Sequence, residues 1–175
     1  MIRRLENIFL MRHGNSEANR DIKVYHAIPD HAIKLSPRGI DDAKNAGVAF
    51  KHLLSTGSIK IEAGDIRSWN SPYERTRETL GGFMDGLDMP GFFRDAREDI
   101  LLTEQRFGLF DGLTDEECLE KYPEEARKFN LCKEHSGWFY AQPPNGESRF
   151  DVCVRVRQYF GTIIRDAEKS VNSMP

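Results

Sequence analysis

The sequence has little of what marks secreted, membrane-embedded or nucleic-acid-binding proteins. It contains only three cysteines, at positions 118, 132 and 153, an odd number at wide spacing that argues against a disulfide scaffold and favours a reducing compartment. The formal net charge is −3, so no basic excess attracts nucleic acid or anionic membranes. No apolar run approaches the roughly 18 residues of a membrane helix, and the N-terminal segment lacks the pattern of a signal peptide. These absences predict a cytoplasmic globular protein.

The motifs of several common enzyme classes are also missing. The sequence has no Gly-x-x-x-x-Gly-Lys-Ser/Thr loop for nucleotide phosphates. Cysteine phosphatases carry an arginine six residues after the nucleophile, but these positions hold Glu124, Trp138 and Tyr159. The Asp-x-Asp pair of aspartate-based phosphatases is absent, as are His-Glu-x-x-His and paired Cys-x-x-Cys motifs. We therefore predict neither a metal nor another cofactor.

What the sequence does contain is an alternation of short apolar runs with helical patterns. The compact apolar run Ile8–Met11 predicts a strand buried on both faces. Ser36 and Pro37 predict a helix start, and Ser71 and Glu74 have the spacing of a capping box at another. This alternation is typical of an α/β protein with a mainly parallel sheet, and the 175 residues predict a single domain, 1–175. The remaining predicted elements are strands within 65–70 and 92–97 and helices over 114–123, over 124–133 and from Phe150 onward. The first of these helices opens on a second capping box, of Thr114 and Glu117.

Two polar clusters follow predicted strands, where the ligands of parallel sheets bind. Arg12-His13-Gly14 combines a nucleophilic imidazole, a guanidinium fork that fits phosphate oxygens and a glycine that lets the backbone approach an anion. Arg75 lies in the first turn of a predicted helix, where a cation opposes the helix dipole unless an anion binds at the same end. The alternatives are that His13 lies in an ordinary turn and that Arg75 is an exposed arginine without a functional role.

Four segments resemble motifs of the histidine phosphatase superfamily, also called the phosphoglycerate-mutase-like family. Arg12–Asn19 resembles the signature of this family, and Ser71–Thr79 resembles its second motif. Leu102–Gly112 resembles the third motif, and Pro143–Ser148 resembles the turn that opens the late helix. The four segments occur in the order of the family and cover most of the chain. The resemblance implies an α/β three-layer sandwich with a mainly parallel central sheet.

The resemblance also implies the roles of single residues. His13 would be the nucleophile that forms a phosphohistidine. Glu104 would protonate the leaving oxygen and then take a proton from water; this role needs a carboxylic acid kept protonated, which partial burial beside Leu102 and Phe107 would provide. The alternative for Glu104 is a surface pair with Arg106. The phosphate-binding residues would be Arg12, Asn15, Ser16, Asn19 and Arg75.

One part of the family pattern is absent from this sequence. The family has a second catalytic histidine, in a His-Gly pair that follows a later strand inside the sheet. We therefore expect the sequence to be incomplete at its C-terminus or its catalysis to be weak, because removal of a comparable charge-stabilising donor costs about 100- to 1000-fold. Apart from His13, the histidines precede residues other than glycine: His26, His31, His52 and His135.

The expected activity is hydrolysis of a small phosphate ester through a phosphohistidine. One alternative is mutase-type phosphoryl transfer, which uses the same nucleophile, and the other is a catalytically weak, phosphate-binding regulatory module. Gln105 follows the proposed acid, whereas arginine usually follows it in mutases, so we favour the phosphatase. Residues 20–34 and 113–146 would select the substrate. The expected partner is a small phosphorylated molecule, not nucleic acid or a membrane, and the oligomeric state is left open.

Overall fold

The elements of the chain alternate between helices and strands in its first half and are helical in its second half. The computed structural model describes residues 6–172, with side chains up to residue 167. Over these residues the main elements are α1 (Glu17–Arg20), α2 (Pro37–Ser55), β1 (Ile66–Asn70), α3 (Glu74–Leu87), β2 (Phe93–Glu98), α4 (Asp115–Lys121), α5 (Pro123–Ser136) and α6 (Arg149–Asn172). They belong to two compact units, one of residues 10–103 and one of residues 104–175 with 1–9, as far as these are described. No helix within residues 6–172 is both long and apolar enough to cross a membrane.

The unit of residues 10–103 is built on the crossover β1–α3–β2. The two strands are parallel neighbours, with Arg67 opposite Asp95 and Asn70 opposite Glu98. Parallel strands need a long connection between them, and α3 supplies it. The predicted α/β class with a parallel sheet is confirmed, and both weaker strand predictions match β1 and β2 closely.

Helices α2 and α3 pack closely against each other beside this sheet. Phe83 and Leu87 of α3 form a buried core with Phe92, which lies just before β2. The helices approach through Gly47 of α2 and Gly86 of α3, because a Cβ atom at either position would collide with the backbone of the facing helix. This contact fixes the position of the start of α3 relative to α2, and both helix starts carry residues of the candidate site.

The start of α2 agrees with its sequence signal, whereas that of α3 does not. The Ser36 hydroxyl accepts a hydrogen bond from Gly39 N at 3.2 Å, as expected of an N-cap. The capping box predicted for Ser71 and Glu74 is wrong: Tyr73 is the N-cap of α3 and makes no side-chain cap bond. The hydroxyl of Ser71 instead accepts a bond from the nearer amide of Tyr73 at 3.4 Å.

The strand predicted for Ile8–Met11 is wrong. The described segment 6–15 has no regular secondary structure, and Leu10 is 87% exposed. A strand requires a backbone neighbour, and in the part of the chain described here strand pairing involves β1 with β2 and the single bridge between Ser16 and Leu35. The four apolar side chains of the run remain about half exposed or more within these residues.

The unit that contains residues 104–172 is helical. Thr114 caps α4 in a full capping box with Glu117, as predicted. The neighbouring helices α4 and α5 contribute Cys118 and Ala126 to a small core that also contains Phe110. The predicted helices over 114–123 and 124–133 correspond to α4 and α5, and the long final helix corresponds to α6.

Candidate active site

The segment that carries His13 is tied to helix α3 by a threonine. Gly14 N donates to Thr79 Oγ1 at 3.0 Å, and the Thr79 hydroxyl donates to Arg75 O at 2.6 Å. His13 Nδ1 lies 2.7 Å from the carbonyl oxygen of Gly14. Because a carbonyl only accepts, Nδ1 carries the proton of the neutral ring and Nε2 keeps the lone pair. A lone pair on Nε2 is what a nucleophilic imidazole requires.

The next residue, Asn15, seats the same segment on the start of α2. Its carbonyl oxygen accepts from Ser36 N at 2.8 Å and from the Ser36 hydroxyl at 3.0 Å. Its side-chain Oδ1 lies 2.8 Å from the same hydroxyl. The backbones approach so closely that a Cβ atom on Gly14 would collide with Gly39, and one on Gly39 would collide with Asn15. The His13 segment is thus held by two helices.

Ser16 and Asn19 bond to each other. The Ser16 hydroxyl caps Asn19 N at 3.2 Å, and Asn19 Oδ1 accepts from Ser16 N and from the Ser16 hydroxyl, both at 3.0 Å. Ser16 is buried and Asn19 is exposed. These bonds use only the Oδ1 atom of the Asn19 side chain, so its Nδ2 group can donate to a ligand.

Arg75 is among the most deeply buried charged residues of the described chain, with 4% exposure. One of its terminal nitrogens, Nη1, donates to both the carbonyl oxygen and the Oδ1 of Asp30, each at 2.7 Å. Its guanidinium carbon lies 4.9 Å from the centre of the Tyr73 ring. Among the described residues, no protein acceptor bonds its Nε or Nη2. The alternative of an exposed arginine without a task is therefore wrong.

Arg12, the other predicted clamp residue, is exposed. No described contact joins it to Arg75, whose partners are Asp30 and Tyr73. The structure thus links the His13 segment, Asn15 and the start of α3 into one group, and it leaves the Arg12 side chain at the surface.

Glu104 belongs to the other unit, and its surroundings differ from the expectation. We expected partial burial beside Leu102 and Phe107, but Glu104 is exposed. Its carboxylate turns back along the chain, and Oε1 accepts from Gln105 N at 2.9 Å. The alternative pair with Arg106 is also wrong, because the guanidinium of Arg106 lies 3.5 Å from a different carboxylate, that of Glu147.

Glu147 is a residue that the sequence analysis quoted within a motif without giving it a role. It is 7% exposed and accepts from Arg155 Nε at 3.1 Å and from Arg106 N at 3.1 Å. Burial alone would raise the pKa of Glu147, but the hydrogen bonds from Arg155 and Arg106 N, with the charges of both arginines, hold that pKa below its ordinary value.

The same network braces the segment around Glu104. Arg155 also donates to Glu104 O at 3.1 Å, and Gln105 Nε2 donates to Glu147 O at 2.7 Å. Arg106 O accepts from Glu147 N at 2.8 Å. A charged residue next to glycine in a proline-rich turn was the available sequence signal, but it did not identify the partner of Glu147. Within the described residues, no group of three or more His, Cys, Asp or Glu side chains is arranged to hold a metal ion.

The family of the chain follows from these motifs together with comparisons to known proteins. The family model of the histidine phosphatase superfamily (branch 1) matches residues 8–171. The chain belongs to this superfamily, as the resemblance implied.

Curated relatives and a solved structure agree with this assignment. The chain is 34% identical over 165 residues to phosphoglycerate mutase-like protein AT74H of Arabidopsis thaliana, covering 93% of this chain and 55% of that protein. It is 32% identical over 163 residues to phosphoglycerate mutase-like protein AT74 of the same plant, covering 93% and 48%. The chain thus spans about half the length of these relatives. The α-ribazole phosphatase of Shigella flexneri has the same fold, with a TM-score of 0.60, 22% identity and coverage of 87% of this chain and 64% of that one.

Proposed function

We propose that this chain hydrolyses a small phosphate ester through a phosphohistidine formed at His13. The observation that carries the proposal is the buried guanidinium of Arg75, which is 4% exposed and has donors without a protein acceptor among the described residues. Arg75 lies in the helix whose Thr79 holds Gly14, next to the nucleophile. A buried cation with open donors beside a histidine that keeps its Nε2 lone pair suits a bound phosphoryl group.

The proposed reaction has two displacements at phosphorus. In the first, the lone pair of His13 Nε2 attacks phosphorus, the bond to the ester oxygen breaks, and the leaving oxygen takes a proton from Glu104. In the second, Glu104 takes a proton from water, the water oxygen attacks phosphorus, and the P–N bond breaks. The products are the free alcohol and inorganic phosphate, and His13 and Glu104 return to their starting states. The motif that contains Glu104 carries its assignment as the acid.

The remaining predicted residues supply charge and donors for the phosphoryl oxygens. Arg75 offers Nε and Nη2, which form one planar edge of the guanidinium and match two oxygens of a phosphate. Arg12 is exposed and its long side chain is available to close over a bound ester. The segment is stabilised by hydrogen bonds of Asn15, Ser16 and Asn19. Of the two asparagine side chains, these bonds use only the Oδ1 atoms, so the Nδ2 groups can still donate to phosphate.

Two alternatives use the same residues His13 and Arg75. Phosphoglycerate mutase-type transfer would return the phosphoryl group to a second hydroxyl instead of to water. A phosphate-binding module would keep Arg75 without turnover, and this reading is favoured by the fact that His13 alone among the five histidines precedes glycine. A module binds vanadate and forms no acid-labile phosphohistidine, whereas a mutase transfers phosphate between acceptors with little release.

The test is phosphate release from a panel of small phosphate esters. Wild type is compared with His13→Ala and with His52→Ala as a matched control, since His52 is exposed on α2 away from the motifs. Release that disappears in His13→Ala and persists in His52→Ala supports the proposal. Release that survives in His13→Ala refutes the nucleophile. Vanadate binding without release in wild type favours the module, and any longer form that the gene encodes is run beside this chain.

A further inference from the structure

A carboxylate from the loop between α1 and α2 occupies one side of the buried guanidinium. Asp30 receives both hydrogen bonds of Arg75 Nη1, one on Oδ1 and one on its own carbonyl oxygen, each at 2.7 Å. The side chains of Arg75 and Asp30 are 5% and 15% exposed. Short, charge-assisted bonds between two groups this far removed from water are strong and geometrically restrictive.

The loop presents Asp30 from a firmly anchored position. Asp30 opens a short 3₁₀ turn, Asp30–Ala32, which leads into the completely buried Ile33. Two residues on, Leu35 N donates to Glu78 Oε2 of α3 at 2.6 Å. The loop is therefore held to α3 at Asp30 and again at Leu35, and Asp30 is not a mobile surface carboxylate that happens to lie near an arginine.

The pair leaves the phosphate-facing edge of Arg75 open. A buried guanidinium without a partner is costly, so some group must compensate it when no ligand is bound. Asp30 does so through Nη1, and Tyr73 covers the face of the guanidinium at 4.9 Å. Asp30 binds Nη1 and the Tyr73 ring covers one face of the guanidinium, so the plane of the group is fixed. Its remaining edge, formed by Nε and Nη2, is open.

We propose that Asp30 is a positioning residue for Arg75: it fixes the guanidinium through Nη1 so that the Nε and Nη2 edge is preorganised for a phosphoryl group. The inference rests on the proposed function. It gives part of the loop 20–34, which the sequence analysis assigned to substrate selection, a direct connection to the phosphate clamp. Preorganisation of this kind lowers the cost of binding and keeps donors aimed at the developing charge.

The test compares three variants of the full chain. Asp30→Asn keeps an oxygen acceptor and removes the charge, and Asp30→Ala removes both. Asp88→Asn is the matched control, because Asp88 is an exposed carboxylate at the far end of α3 that accepts from Lys51 Nζ at 3.2 Å, and asparagine keeps an oxygen acceptor there. The readouts are the dissociation constant of vanadate and the kcat and KM for 4-nitrophenyl phosphate, with thermal melts to confirm folding.

We expect the order wild type, Asp30→Asn, Asp30→Ala in both vanadate affinity and kcat/KM. The loss in Asp30→Ala reaches about 100-fold, the effect of a misplacement of about 1 Å in a catalytic group. Asp88→Asn stays at the wild-type values. An Asp30→Asn or Asp30→Ala variant that is folded and binds vanadate as tightly as wild type, or more tightly, overturns the proposal, since Asp30 would then compete with phosphate or have no effect on Arg75.

A second readout separates this inference from the proposed function. Nuclear magnetic resonance of the guanidinium groups reports hindered rotation of a held arginine, and the Arg75 signals are assigned by their loss in Arg75→Lys. Resolved Nη signals that vanish in Asp30→Ala show that Asp30 holds Arg75, whatever the activity. If these signals behave so but wild type neither binds vanadate nor releases phosphate, the proposed function fails and the phosphate role of Asp30 fails with it. Signals that are unchanged in Asp30→Ala refute the positioning itself.

Discussion

Replacing Gly39 by alanine tests how the nucleophile segment is seated on α2. A Cβ atom at this position would collide with Asn15 O and would lie 2.8 Å from Asn15 N and 2.9 Å from Asn15 C. All three are backbone atoms, which cannot rotate away as the end of a flexible side chain can. Asn15 must therefore move by about 1 Å to reach ordinary van der Waals separation. Asn15 lies two residues from His13, so His13 is expected to move with it.

The balance of energies predicts a net loss of stability. Alanine gains about 1 kcal/mol over glycine inside a helix. Overpacking costs about 1–3 kcal/mol, and the upper end applies because backbone must shift and the bonds from Ser36 to Asn15 O are strained with it. The net expectation is a loss of roughly 1–2 kcal/mol of unfolding free energy. A shift of about 1 Å at the site predicts a loss near 100-fold in kcat/KM or in vanadate affinity.

The chain offers a matched control in Gly81. It also lies inside a helix, α3, but a Cβ atom there meets nothing within 4 Å. Gly81→Ala therefore gains only the higher helix propensity of alanine, which adds about 0.5–1 kcal/mol to the free energy of unfolding. The two variants differ by about 1.5–3 kcal/mol, which corresponds to about 3–12 °C in Tm for a protein of this size. Thermal melts and vanadate titrations measure both effects. A Gly39→Ala variant that melts with Gly81→Ala and binds vanadate as wild type does would refute the seating argument.

Three further predictions concern the unit that contains residues 104–172. Glu147→Ala removes the carboxylate that pairs with the Arg155 guanidinium, whose side chain is only 12% exposed, and costs about 3 kcal/mol in urea unfolding. Glu120→Ala, at an exposed site, changes stability by less than about 0.5 kcal/mol, and equal effects of the two variants would contradict the ion pair. The folded pKa of Glu147 is held below its ordinary value, so the ionised carboxylate stabilises the fold fully above the unfolded pKa of about 4.3, and this stabilisation is lost as the pH falls through the lower folded pKa. Unfolding free energies measured against pH in wild type and in Glu147→Gln check this dependence, and identical curves would be evidence against it. Burial, together with two nearby carboxylates, raises the pKa of the Cys118 thiol. An aromatic disulfide reagent at neutral pH therefore labels the exposed Cys153 before Cys118, and the reverse order would show that Cys118 is not buried.

Local signals predicted the elements whose stability is decided locally. The helices α2 and α4 begin where the caps Ser36 and Thr114 predict, because a capping hydroxyl acts on an amide only three residues away. The run Ile8–Met11 has an equally clear apolar signal, yet it is exposed. Its burial requires a neighbouring strand, and no strand pairs with it in the described residues. The side-chain pattern of a segment shows that it can be buried, but whether it is buried depends on a second segment elsewhere in the chain.

The same distinction separates the predicted from the missed residues of the candidate site. The motifs indicated His13 and Arg75 from their immediate neighbours. Asp30 lies 45 positions from the arginine that it binds, and no local pattern marks a carboxylate for a distant partner. The expected burial of Glu104 was wrong for a related reason: it was inferred from adjacent apolar residues, whereas Glu104 is exposed and its carboxylate bonds to the amide of the next residue in the chain. The roles of these residues in catalysis stay predictions.

The hydrogen bonds around His13 explain how the site segment can be ordered while the residues before it are not in a sheet. Gly14 N is held by Thr79 of α3, and Asn15 O is held by the N-cap of α2. Both helices are locked together through the close contact at Gly47 and Gly86, so the two anchors keep a constant separation. The position of the His13 segment therefore depends on the α2–α3 pair and not on a strand formed by the apolar run Ile8–Met11. It follows that disrupting the α2–α3 contact should damage phosphate binding even at a distance from every residue that touches phosphate.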